Sequence, residues 1–206
     1  ISGTPLAWRS ISMSDNGKYQ SAVNVSNGNI YISSNFGVSW TNPVISPTGS
    51  AGSYAISVSG TGQYQSVAFA GNSSTNCIYT SSDFGANWIS RTLIPSGTTN
   101  LYAFQAISLS SSGQYQTAVV FDAPGNTGYI HISRDFGNTW TTITSLGDRN
   151  WTSVSLSASG QYQTAVFPSG LIQVSSDFGN SWSPKDNTRD WESVAISDSG
   201  QYQTAV

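Results

Sequence analysis

Charge is scarce in this sequence. Lys, Arg, Asp and Glu make up 8% of its 206 residues, against about 25% in an average soluble protein. Five Arg, two Lys and a net charge of −3 form no basic stripe, which argues against a nucleic-acid partner. Cys77 is the single cysteine and His131 the single histidine. An internal disulfide and a His/Cys metal cluster are therefore excluded, and no cofactor is expected. No segment approaches the roughly 20 apolar residues of a membrane span, and no stretch carries the apolar stripe of a helix. The sequence opens at Ile1 without a charged and apolar leader, so any secretion signal is expected to have been removed or never present. Asn24, Asn72 and Asn150 each begin an Asn-x-Ser/Thr sequon, which matters only on a eukaryotic secretory route.

What the chain has instead is hydroxyls, amides, glycine and 12% aromatics, arranged in a repeat. Gly17-Lys18-Tyr19-Gln20 recurs as Gly62-Gln63-Tyr64-Gln65, Gly113-Gln114-Tyr115-Gln116, Gly160-Gln161-Tyr162-Gln163 and Gly200-Gln201-Tyr202-Gln203, at steps of 45, 51, 47 and 40 residues. Between the copies lies a second motif, Ser-x-Asp-Phe-Gly followed three residues later by Trp. The repeat units run approximately over residues 8–52, 53–102, 103–150, 151–190 and 191–206. The last is partial, with residues 1–7 available to complete it, so the ends fit a ring latched by the N-terminus, a piece of a longer parent chain, or an oligomer.

The fourth unit is the cleanest to read. Trp151 to Ser157 alternates Val154 and Leu156 with serines, the period of a strand. A turn at Ala158-Ser159-Gly160 leads to a second strand over 162–167, a third over 171–175 and a fourth from Trp182. Four antiparallel strands in a unit of this length describe a blade of a β-propeller, so the expected fold is all-β with about five blades. A stacked β-solenoid is the other candidate, although its coils are usually shorter. Small serines on the first strands (Ser12, Ser57, Ser108, Ser155) suit the crowded axis of such a fold.

The second motif resembles the Asp box, or BNR repeat, of sialidases, sortilin, xyloglucanases and a photosystem II assembly factor. It stands at Ser81 to Trp88, Ser133 to Trp140 and Ser175 to Trp182, and at Ser33 to Trp40 with Asn35 in place of the acid. Together with Gly-Gln-Tyr-Gln-Thr-Ala-Val, it also resembles uncharacterised repeat proteins of giant DNA viruses and environmental sequences. The resemblance implies a hairpin between third and fourth strands, on the face away from any active site. Asn35, Gly37, Trp40, Asp83, Gly85, Trp88, Asp135, Gly137, Trp140, Asp177, Gly179 and Trp182 are thus expected to be structural, the acid binding its own turn and the Trp packing in the core. Trp8, Trp151 and Trp191 open first strands, as Phe104 does, and the same core role is expected of them.

Function is sought where the units differ. The loops between second and third strands, and between units, vary in length and sequence, and a rigid scaffold commonly presents binding residues on such loops. Two end alike, in Asp148-Arg149-Asn150-Trp151 and Thr188-Arg189-Asp190-Trp191. Asp148, Arg149, Arg189 and Asp190 are therefore the candidate ligand contacts, against the plainer reading of solvated pairs capping strands. No catalytic residue is identified. A sialidase needs an Arg triad and a Tyr activated by Glu, but Arg134 lies inside a box and Glu192 is the only glutamate. A generic glycosidase needs two facing carboxylates; Asp122, Asp148, Asp186 and Asp190 are available, with no motif to select a pair. The expectation is a non-catalytic structural or recognition module, extracellular or virion-associated, meeting a glycan or protein surface. The alternative is a glycoside hydrolase of sialidase-like fold.

Overall fold

The computed structural model describes residues 6–25, 28–42, 53–69, 77–92, 103–121 and 128–206, and the architecture is all-β. β1 (Trp8–Met13), β2 (Gln20–Asn24) and β3 (Ile30–Ser33) form the first sheet, beside which Thr41 bridges Ile32 in the place of a fourth strand. The second sheet runs β4 (Ser53–Val58), β5 (Gln65–Phe69), β6 (Cys77–Ser81), β7 (Ile89–Thr92). The third runs β8 (Ala103–Leu109), β9 (Gln116–Phe121), β10 (Ile130–Ser133), β11 (Thr141–Ile143). The fourth runs β12 (Ser153–Leu156), β13 (Gln163–Val166), β14 (Gly170–Ser175), β15 (Ser183–Arg189). β16 (Val194–Ile196) and β17 (Gln203–Ala205) pair alone. Every pairing is antiparallel and every sheet follows chain order.

The first strands are shorter than their alternation suggests because the motif turn begins earlier. Ser157 N–H donates to the Tyr162 carbonyl (2.9 Å), and the Ser157 hydroxyl accepts from Tyr162 N–H (3.1 Å). Gln163 Nε2 then donates to the Gly160 carbonyl at 3.1 Å. The same three bonds recur in all five turns.

The units are joined by a repeated set of bonds. From the second unit on, each motif Gln accepts a hydroxyl from the unit before it: Ser21 to Gln65 (2.7 Å), Ser66 to Gln116 (2.7 Å), Thr117 to Gln163 (2.8 Å) and Thr164 to Gln203 (2.6 Å). Gln65, Gln116 and Gln163 are fully buried, so the amide must be satisfied, and the turn and the neighbouring hydroxyl do it together. Adjacent first strands meet through serine: Ser12, Ser57, Ser108 and Ser155 accept from the N–H groups of Val58, Leu109, Leu156 and Ile196. At the turns, Asp15 N–H donates to Gly60 O, Gly60 N–H to Ser111 O, Ser111 N–H to Ala158 O and Ala158 N–H to Asp198 O. These five turn residues line one cavity of about 110 Å³, so the units converge on a common axis rather than stacking in a column.

The core lies between units, not within them. Ile107 and Leu109 of the third unit pack with Ala68 and Ile78 of the second. Trp151, Val154 and Leu156 of the fourth pack with Val119 and Ile130 of the third. Each motif Tyr also reaches forward, its ring lying 4.5 to 4.6 Å from the box Phe of the next unit in the pairs Tyr19–Phe84, Tyr64–Phe136 and Tyr115–Phe178. The same ring covers the next motif glycine. Gly160 has φ 77°, and a Cβ there would stand 2.6 Å from Tyr115 Cβ, so both conformation and space demand glycine.

One expectation on tryptophan needs correcting. Trp151 and Trp191 are buried, as is Phe104, but Trp8 is 48% exposed because no unit precedes it among the described residues. The four box tryptophans are half-buried, and Trp88, Trp140 and Trp182 pack against the core clusters from their edge. Of the proposed N-terminal latch, residues 1–5 lie outside the described residues, and Ala7 bonds within its own unit, accepting from Val25 N–H. Asp122 and the sequon at Asn72 also lie outside, while Asn24 is fully buried and closed to glycosylation.

Candidate functional site

The conserved pattern within the units resolves first into structure. In the third box the Ser133 hydroxyl donates to Asp135 Oδ1 (2.9 Å) and accepts from Gly137 N–H (2.9 Å). Asp135 Oδ1 accepts Thr139 N–H and Oδ2 accepts the Thr139 hydroxyl, while Trp140 Nε1 donates to the Gly137 carbonyl. The boxes of Asp83 and Asp177 repeat this arrangement. In the first box Asn35 accepts Ser39 N–H through Oδ1, but its Nδ2 donates to the Ser39 hydroxyl, reversing that one bond. Both Phe and Gly of each box have positive φ, 58 to 62° for the four phenylalanines. That conformation is costly for a bulky residue, and in three boxes the Tyr ring of the preceding unit lies against the Phe.

The box acids are held ionised. Burial pushes Asp83 and Asp135 upward, but bonds from Asn87 and Ser81, and from Thr139 and Ser133, outweigh it and leave both carboxyls below the ordinary value. The Ser181 hydroxyl and N–H do the same for Asp177. A carboxylate so occupied serves poorly as a proton donor. Arg134 likewise points to structure, its Nη2 donating to Asn180 Oδ1 of the next box at 2.9 Å.

On the loop face of the fourth unit a cleft of about 650 Å³ opens between the loop entering Trp151 and the β13–β14 turn. Asp148, Arg149, Trp151, Phe167 and Gln173 line it. Asp148 Oδ1 accepts Gly128 N–H (2.7 Å), pinning one unit's β-loop to its exit loop. Asp190 repeats the device one unit on, its Oδ1 accepting both Ser169 N–H (2.8 Å) and the Ser169 hydroxyl (2.9 Å). Arg149 Nη1 donates to the Asp148 carbonyl and its guanidinium lies 5.8 Å from the Phe167 ring centre. Arg189 does not line the cleft; it lies 5.5 Å from the Trp191 ring centre and 3.8 Å from Asp186. Of the four candidates, then, Asp148 and Arg149 share the cleft, Asp190 holds its wall through Ser169, and Arg189 stands outside. Sequence reasoning missed Gln173 and treated Trp151 only as packing. Both are buried, and among the described residues Gln173 Oε1 and Trp151 Nε1 have no hydrogen-bond partner, as Trp191 Nε1 at the position equivalent to Trp151 also has none. A signal was available for Gln173, since the same strand position holds Tyr31, Tyr79 and His131 in the other units. Among the described residues no group of His, Cys, Asp and Glu could hold a metal ion, and no helix is long and apolar enough to cross a membrane.

The fold and this site define a repeat module of propeller type. The BNR-Asp box repeat family matches residues 78–91. No curated protein sequence matches the chain. Among solved structures, the GH74 enzyme of Niastella koreensis superposes with a TM-score of 0.69 at 16% identity, over 91% of this chain and 33% of that one. YCF48 bound to a D1 peptide gives 0.61 at 15% identity, over 95% and 60%. A nidogen/laminin complex gives 0.64 at 12% identity, over 92% and 68%. The chain thus spans about a third of the GH74 enzyme and three-fifths of YCF48, and at these identities the likeness concerns the fold.

Proposed function

We propose that the protein is a non-catalytic recognition module that binds a hydroxyl-rich ligand, a glycan, in the loop-face cleft of its fourth unit. One observation carries the reading: a cleft of about 650 Å³ whose wall holds a buried acceptor, Gln173 Oε1, and a buried donor, Trp151 Nε1, both unpartnered among the described residues. Buried polar groups without partners are uncommon and costly; both atoms are closed to solvent in the cleft wall, so a hydroxyl that donates to the one and accepts from the other reaches them only as the wall shifts on binding. Phe167 adds an aromatic wall, and Arg149 a cation at the rim. The non-catalytic reading is supported by Asp148 and Asp190, each of which commits an oxygen to a loop N–H.

Glycan-array screening followed by calorimetry on the hit tests this. Gln173→Leu removes the amide and Trp151→Phe removes the indole N–H with part of the ring, and each is expected to weaken binding about tenfold, the effect of one lost hydrogen bond to a ligand, with melting curves to separate that from lost packing. Binding indifferent to both substitutions would remove the cleft as the site. Hydrolysis of the bound glycan, lost in Asp148→Asn, would move the assignment to a hydrolase.

A further inference from the structure

Asp148 and Arg149 are the only ionisable side chains among the described residues that line the loop-face cleft. The acid is committed to the scaffold: its Oδ1 accepts Gly128 N–H at 2.7 Å, and no ion pair joins it to Arg149. The guanidinium is charged and has no carboxylate on it, yet it is held in place. Nη1 donates to the Asp148 carbonyl at 2.6 Å, and the guanidinium carbon lies 5.8 Å from the Phe167 ring centre. A cation over a ring is attracted by the ring's negative face. Phe167 is itself fixed, edge-on to Trp151 at 4.9 Å and packed so closely on Gly170 that no Cβ fits there. Arg149 therefore gives up less freedom on meeting a ligand than an arginine loose in solvent.

Other arginines are spent on the protein. Arg91 donates to Thr80 and Asn138, Arg134 donates to Asn180, and Arg189 pairs with Asp186 at 3.8 Å. Arg189 is the counterpart of Arg149 one unit on, and a local irregularity in β15 separates their fates. Gly170 faces Arg189 while Ile172 faces Lys185, so β15 carries extra residues in a bulge, with Asp186 at φ 59° inside it. Bulges re-aim side chains. Here Thr188 lines the cleft, whereas Arg189 and Asp186 meet outside it. The cleft thus gains a hydroxyl and no second carboxylate.

We infer that the ligand of this cleft is an acidic glycan, whose oxyanion group, a carboxylate or a sulfate, sits on Arg149. The inference rests on the cleft being the ligand site and adds the charge of the sugar. A planar guanidinium fork matches two oxygens of one oxyanion, and only Nη1 is engaged by the protein among the described residues. The whole chain carries a net charge of −3, so an anion is drawn here by the local cation and not by the field of the molecule.

Calorimetry on the 206-residue chain with matched sugars tests this. Uronate oligosaccharides are set against their carboxyl-reduced forms, and sulfated oligosaccharides against their desulfated forms; the pair that responds identifies the oxyanion. The acidic form is expected to bind about tenfold more tightly than its neutral partner, the effect of one charge-assisted bond, and the advantage should shrink as salt rises. Arg149→Gln should abolish the advantage and leave the neutral form's affinity unchanged. Arg149→Lys should keep part of it, having the charge without the fork. Arg189→Gln removes the same charge outside the cleft and should change neither affinity, which separates a local contact from net charge. Melting curves check that each variant folds. Equal affinity of acidic and neutral forms, or an advantage that survives Arg149→Gln, would overturn the inference; the cleft would still stand as the site if binding were weakened by Gln173→Leu. A panel in which no sugar binds would overturn both.

Discussion

Trp151→Ala is expected to destabilise the protein by about 3 to 5 kcal/mol, the range for removing a large aromatic from a core. Trp151 is fully buried, stands edge-on to Phe167 with ring centres 4.9 Å apart, and closes the cluster shared by the third and fourth units. The loss should appear as a lower urea midpoint with an unchanged slope, since the surface exposed on unfolding barely alters. Two comparisons sharpen it. Trp151→Phe installs the residue found at Phe104 of the third unit, itself 1% exposed, but leaves the space of the lost ring atoms, and should cost about 1 to 2 kcal/mol. Trp140→Ala removes a half-buried ring and its bond to the Gly137 carbonyl, and should cost about 2 kcal/mol. Equal losses at positions 140 and 151 would show that burial does not rank these tryptophans.

The second large effect is on acid. His131 is buried, with Nδ1 3.1 Å from the Thr142 hydroxyl, and burial pushes its pKa down to about 4. The unfolded chain takes up a proton near its ordinary value of about 6.5. Between those values the unfolded state holds a proton that the native state lacks, so stability falls as pH falls. Linkage puts the loss at about 2 kcal/mol from pH 7 to pH 5 and about 3 kcal/mol below pH 4. Because His131 is the only histidine, this window belongs to it alone. The box carboxylates act lower: their stabilisation is present above about pH 4 and is lost as pH falls through their depressed values. His131→Tyr, which installs the residue found at Tyr31 and Tyr79, should flatten the urea midpoint between pH 7 and pH 5. A parent chain already flat there, or a variant as steep as the parent, would count against the assignment.

Much of the fold was legible because the sequence repeats. Period-2 alternation located the first strands, and the boxes fell between third and fourth strands, as the positions of Asp83, Asp135 and Asp177 required. What repetition cannot disclose is which copy a side chain serves. Five copies of the motif Tyr and Gln suggest hydrogen bonding between units, and Gln163 does receive Thr117 from the unit before, whereas Tyr115 crosses the seam by packing on Gly160 and Phe178. A contact between equivalent positions one period apart has the same sequence signature as one within a unit. The positive φ of Phe136 was equally hidden, because the stabilising Tyr64 ring comes from the unit before. In the cleft, Asp148 and Arg149 stood out by charge. Gln173 and Trp151 did not, since their interest is that nothing among the described residues satisfies them.

The placement of the core at the seams has a consequence for synthesis. A unit leaving the ribosome has its sheet but not the apolar partner that lies on the next first strand, one period of 40 to 51 residues later. At about 5 to 20 residues per second, that face waits roughly 2 to 10 s in contact with solvent or a chaperone. The low charge of the chain gives little repulsion to hold nascent neighbours apart during that interval. Translation speed across each seam, more than the stability of any single sheet, then governs how much of the protein is made in soluble form.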